Sequence, residues 1–169
     1  MDGHAVMLVP VPPLEAWVRA RTAHYDAGFV ADDPRFLHAH VTVLAPCPVD
    51  RPGLLASVAA SVEPFAFRLE RVAAFPDGTV HLVPEPDAGF RALTDAARRL
   101  APDVAPYWGR FEPVPHLTLD RLSPDVSLAS TRTLLGDAVP ATCRADRLLL
   151  TWWESGACRV LDEAPLGRR

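Results

Sequence analysis

Apolar positions along this chain recur with two periods, and prolines punctuate the segments that carry them. His4 to Val9 is a short apolar run suited to a buried strand. Pro12 and Pro13 then open a segment from Leu14 to His24 in which Leu14, Trp17, Val18 and Arg21 recur at helical spacing. A loop over 26–35 separates it from a strand-like stretch, His38 to Leu44, which Pro46 and Pro48 stop. Gly53 to Val62 is a second helix candidate. Phe65, Phe67 and Leu69 alternate with Ala66, Arg68 and Glu70 in a strand over 65–75. The turn signal Pro76-Asp77-Gly78 joins it to a hairpin partner, Thr79 to Val83. Asp87 to Leu100 reads as a helix with Phe90, Leu93, Ala97 and Leu100 on one face and Asp87 as N-cap. A proline-rich loop holding Tyr107, Trp108, Arg110 and Phe111 leads to a strand over His116 to Leu122. Ser123-Pro124-Asp125 predicts a helix start running to about Leu135. Residues 141–153 and 157–162 form a closing hairpin that would extend one sheet. The two halves echo each other, each ending in a His-bearing strand, as one domain with a single cleft would require.

Composition narrows the chemistry. The 169 residues carry 17 basic side chains, all Arg, against 21 acidic ones, for a net charge of −4. Lys and Asn are absent. Without Lys there is no phosphate loop ending in Gly-Lys-Ser/Thr, no Schiff-base lysine and no lysyl-nucleotide intermediate. Phosphate must be handled by Arg, His, hydroxyls and backbone amides. The negative balance argues against duplex DNA as a partner, though not against a nucleotide or RNA end in a local Arg-rich cleft. No stretch is apolar enough for a membrane span, and the start lacks a signal-peptide pattern. Cys47, Cys143 and Cys158 have neither disulfide-framework nor metal-pair spacing and read as buried hydrophobes of a reducing cytoplasm.

The chemistry centres on a repeated tetrapeptide, His40-Val41-Thr42-Val43 and His116-Leu117-Thr118-Leu119. Six His and nine Thr in this chain make about 0.3 His-x-Thr triplets by chance. Alternation in a strand sets His and Thr on one face and the aliphatic residues on the other. Two such strands, central in facing sheets, would aim two imidazoles and two hydroxyls at one centre. Phosphodiester chemistry uses that set: one imidazole takes a proton from the nucleophile, the other gives one to the leaving oxygen, and hydroxyls hold the non-bridging oxygens. Neither a metal nor a cofactor is needed.

These residues, with Pro115-His116-Leu117-Thr118-Leu119-Asp120-Arg121, resemble the paired motifs of the 2H phosphoesterase superfamily, in its bacterial 2′-5′ RNA ligase-like and cyclic phosphodiesterase branch. The resemblance implies an α+β fold, bilobal, with two pseudo-symmetric antiparallel-rich sheets flanked by helices around a central cleft. It spans one domain, 1–169, with lobe one over about 1–62, lobe two over about 63–169, and strands free to exchange between them. It implies catalytic roles for His40 and His116 and phosphate binding by Thr42, Thr118 and Arg121. Strict alternation, however, turns Arg121 to the face opposite His116. The chain departs from the branch at Ala45, where an aromatic residue often stands.

Further residues that can line a cleft are His38, Tyr107, Trp108, Arg110, Phe111 and Trp153. His38 shares a face with His40 and is expected at the cleft mouth or on the surface; the alternative, a His-x-His metal pair, lacks a nearby carboxylate pattern. His81 is expected either to line the cleft or to be an ordinary strand histidine, and Cys47 lacks a base that would make it a nucleophile. The expected function is a metal-independent, cytoplasmic, monomeric hydrolase acting on a 2′,3′-cyclic phosphate or 2′-5′ phosphodiester of a nucleotide or RNA end. The alternatives are a non-catalytic module binding such ends, and a tailoring enzyme for a phosphorylated small molecule that is not RNA.

Overall fold

The computed structural model describes residues 2–167. Its strands are β1 (His4–Pro10), β2 (His40–Leu44), β3 (Phe65–Ala74), β4 (Thr79–Glu85), β5 (Leu117–Arg121), β6 (Ala141–Ala145), β7 (Arg147–Trp153) and β8 (Arg159–Pro165). Its helices are α1 (Glu15–Tyr25), α2 (Leu54–Ala60), α3 (Ala88–Leu100) and α4 (Leu128–Leu135), joined in places by single 3-10 turns. Two antiparallel four-stranded sheets, ordered β2-β1-β7-β8 and β5-β4-β3-β6, make this an α+β fold of two lobes. Each sheet carries one His-x-Thr motif at the same edge, which is the pseudo-symmetry the two sequence halves echo.

The unbroken apolar run of β1 has a simple cause: both its faces are buried. Ala5, Met7 and Val9 enter the main core, while Val6 and Leu8 join Ala45, Leu149 and Val160 in a second cluster on the opposite face. The main core lies against α2 and α3. There Phe90, Leu93 and Ala97 of α3 are buried as its spacing predicts, and the Thr94 hydroxyl donates to the Val43 carbonyl of β2 at 3.0 Å. Leu100, expected on that face, sits in the last turn and is 49% exposed.

Several expectations are corrected. The motif strands are edge strands, not central ones. They approach each other with Cα atoms within 8 Å, which brings the two motifs to one place between the sheets. The strand expected over 141–153 breaks at Asp146: β6 pairs with β3 and β7 with β1, so the chain's last two strands complete the first sheet. The helix expected from Ser123 begins at Leu128, because Ser127 and Ser130 form a reciprocal capping box while Ser123 to Val126 closes a turn. Asp87 stands at the N-cap of α3 as expected but makes no side-chain capping bond; its carboxylate instead takes Arg91 Nε at 2.8 Å. No helix among the described residues is long and apolar enough to cross a membrane.

Candidate active site

His40 opens β2, opposite Pro10, with its side chain on the face that also carries Thr42. Its Nδ1 lies 2.8 Å from the His38 carbonyl. A carbonyl only accepts, so Nδ1 carries the hydrogen and Nε2 keeps a free lone pair. His116 repeats the device with Nδ1 at 2.7 Å from the Val114 carbonyl, again two residues upstream. Trp153 packs on His40 at 5.2 Å between ring centroids; Phe75 stands perpendicular to His116 at 4.9 Å. His81 is buried, lies flat on Phe75 at 3.9 Å, and meets the His116 ring edge-on at 5.6 Å, so it props the second motif. Burial pushes the His40 imidazole down from 6.5 to about 4; its bond to the His38 carbonyl opposes this, and the charge of His116 adds to it. His116 is also lowered, first by burial and further by His81, against the raising effects of the Val114 carbonyl and Asp77.

A bulge re-aims the residues at the end of each motif strand. Between β4 and β5, Thr118 faces His81 while Asp120 faces Val80, so Leu119 is an extra residue. Thr79 and His81 share a face, and Arg121 pairs with Thr79. Arg121 therefore returns to the side of Thr118, and the alternation argument that turned it away fails at Leu119. Val43 is the matching extra residue of β2. Arg121 is exposed, and its Nη2 donates to the Asp77 carbonyl at 3.0 Å.

The cleft, about 430 Å³, is bordered by His40, Thr118, Arg121, Trp153, Arg21 and Tyr25, among others. The last two, from α1, were not anticipated as site residues. Asp120, turned inward by the bulge, holds them: Arg21 Nη2 lies 2.6 Å from its carboxylate, and the Tyr25 hydroxyl donates to it. The backbone N–H of Arg121 donates to the same carboxylate at 2.8 Å. Arg21 Nε is buried with no partner among the described residues. The available signal was a charged residue at a position of the α1 apolar stripe.

The structure places the remaining candidates unevenly. His38 borders the cleft, as expected, but is 2% exposed rather than at the surface, and it is held by Glu15, another residue that spacing does not reveal. Glu15 Oε1 accepts from the backbone N–H groups of His38 (2.6 Å) and Ala39 (2.9 Å), and Oε2 takes His38 Nδ1 at 2.8 Å. His38 Nε2 meets the Ala31 N–H at 3.2 Å, so both its ring nitrogens are engaged away from His40. Among the described residues no three His, Cys, Asp or Glu side chains are grouped to hold a metal. Trp152 packs against the main core, while Trp153 joins the second cluster beside the cleft.

Tyr107 packs on the second cluster and stacks on Phe111 at 4.4 Å. Trp108 and Arg110 are exposed, sit 5.9 Å apart as a cation–π pair, and do not border the cleft. Burial pushes the Cys47 thiol up to about 11, which makes it a poor nucleophile.

The sequence model of the 2′-5′ RNA ligase superfamily matches residues 9–157. No curated protein matches the chain. Among solved structures it is similar to Escherichia coli LigT complexed with 3′-AMP (16% identity, 99% of this chain and 100% of that one, TM-score 0.61). LigT complexed with NADP+ gives 16% identity, the same coverage and a TM-score of 0.59. TT0787 of Thermus thermophilus gives 20% identity, 96% and 97% coverage and a TM-score of 0.63.

Proposed function

The chain belongs to the 2′-5′ RNA ligase superfamily, and from that premise we propose that it is a phosphoesterase opening 2′,3′-cyclic phosphates or cleaving 2′-5′ phosphodiesters of a nucleotide or RNA end. One observation carries the reading. Two imidazoles, one from each sheet, are locked by backbone carbonyls in the same tautomer, each with a threonine two residues on. One Nε2 takes a proton from water as its oxygen attacks phosphorus. The partner imidazole, protonated, gives its proton to the oxygen that leaves. Thr42, Thr118 and Arg121 hold the non-bridging oxygens as charge develops on them. The two imidazoles supply both proton transfers, so the route asks for neither metal nor cofactor. Each chain carries both motifs, so one copy completes the site. Nucleotide binding by E. coli LigT, as its complexes with 3′-AMP and NADP+ record, supports a nucleotide-sized substrate.

The test is turnover of 2′,3′-cyclic nucleotides and 2′-5′ dinucleotides, followed by 31P NMR with and without EDTA. General acid–base catalysis contributes about 10²–10⁴-fold, so His40→Ala and His116→Ala should each lose at least about 100-fold. Full activity in both variants would overturn the site assignment, and inhibition by EDTA the metal-free route. Binding without turnover of any substrate would make the chain a binding module.

A further inference from the structure

The two flanks of the cleft differ in chemistry. Ala45 and Arg121 occupy matching places, each two residues beyond its bulge. On the Ala45 flank, Tyr107 closes the space: its N–H donates to the Ala45 carbonyl at 2.6 Å and its ring packs on the cluster that holds Ala45. Tyr107 and Trp108 hold this position with φ of 51° and 55°, left-handed values that non-glycine residues rarely adopt. The His116 flank is open. A pocket of about 300 Å³ runs beside His116 and shares Thr79 with the main cleft. Its walls are Phe75, Pro76, Phe111 and Val114, and its carboxylates are Asp77 and Glu112. Phe75 is backed by His81, so that wall is rigid. Phe111 and Val114 are 53% and 43% exposed, which leaves large apolar surface uncovered beside a polar site.

A phosphate group has no use for such apolar walls. A flat ring fits them. Asp77 Oδ1 already accepts from the Thr79 N–H at 2.9 Å and Glu112 Oε2 from Arg98 Nη1 at 3.2 Å, but a carboxylate has acceptor capacity for further donors, which favours rings bearing amino N–H groups. We propose that the pocket beside His116 seats the substrate's nucleobase, an amino-bearing one such as adenine in preference to uracil. The proposal rests on the phosphoesterase reading and extends it to orientation. With the base there, the ribose oxygen that leaves lies on the His116 side. His116 then gives the proton to that oxygen as its bond to phosphorus breaks, and His40 takes one from the attacking water.

The experiment compares kcat/KM for adenosine 2′,3′-cyclic phosphate with that for methyl riboside 2′,3′-cyclic phosphate, which has no base. Stacking on an aromatic side chain should give the wild type a preference of about tenfold or more. Phe111→Ala should remove most of that preference, and Phe111→Trp should keep it. Absence of a preference in the wild type, or an equal loss on both substrates in Phe111→Ala, overturns the base pocket while leaving the phosphoesterase reading intact. If neither compound is turned over, that reading fails, and the pocket is judged by NMR titration. Adenosine 3′-phosphate should then shift the amides of Phe75, Phe111 and Val114, which line the pocket and not the main cleft, whereas inorganic phosphate should not; no shift, or the same shift with both, overturns the proposal.

Discussion

At the residue scale the site is governed by two carbonyls. Each motif histidine spends Nδ1–H on the carbonyl two residues upstream, which leaves its Nε2 lone pair for the proposed proton transfers without a dedicated carboxylate partner. The lowered imidazoles set the expected pH dependence. With His40 as base, kcat/KM should rise as pH climbs through its value of about 4 and fall as His116 loses its proton below the ordinary 6.5. Residual activity in His116→Gln should lack the alkaline limb; an unchanged two-limbed profile would contradict the assignment. Stability follows the same sign. His40 is neutral in the fold, so between 6.5 and about 4 the unfolded chain binds more protons at this position. Its contribution is present above 6.5 and lost as pH falls through that window, which urea denaturation at pH 7 and pH 5 would show against His40→Gln. In the proposed reaction Arg121 serves binding, so Arg121→Ala should raise KM by about tenfold or more, the scale of a charge-assisted hydrogen bond.

At the element scale the cleft depends on how α1 meets the two motif strands. Glu15, in its first turn, fixes the backbone at 38 and 39 and thereby the carbonyl that orients His40. Glu15→Ala should cost about 1–3 kcal/mol by leaving buried donors unpaired, and lower kcat by disordering His40. Glu15→Gln keeps one acceptor oxygen and should recover part of both losses; normal kcat and stability in Glu15→Ala would refute this role. Arg21, further along α1, reaches Asp120 on β5 and closes the other side. The Asp120 side chain is 1% exposed, so Asp120→Ala strands a cation and should destabilise by about 3 kcal/mol or more in chemical denaturation. A cost within ~0.5 kcal/mol would show that water replaces the carboxylate.

On the scale of the whole molecule, the lobes are interleaved: the chain builds one sheet edge, crosses to the second sheet, and returns to finish the first with β7 and β8. Truncation after Asp146 should strip β1 of its β7 ladder and uncover the face that Leu149 and Val160 bury, abolishing cooperative unfolding, visible as aggregation in light scattering. What was legible in sequence is local. Period-two alternation marked the strands, proline and glycine marked the turns, and the His-x-Thr pair marked the chemistry, because strand geometry alone sets those residues on one face. What only the tertiary structure decided lies between segments. The bulge at Leu119 depends on the register of β5 against β4, and it reverses the face of Arg121. His38 is buried because Glu15, remote in the chain, accepts from it, and Arg21 joins the cleft because Asp120 is turned inward to meet it. The edge position of both motif strands follows from which strands pair across the sheets. No local period encodes such pairings, since their free energy comes from groups brought together only when the chain closes.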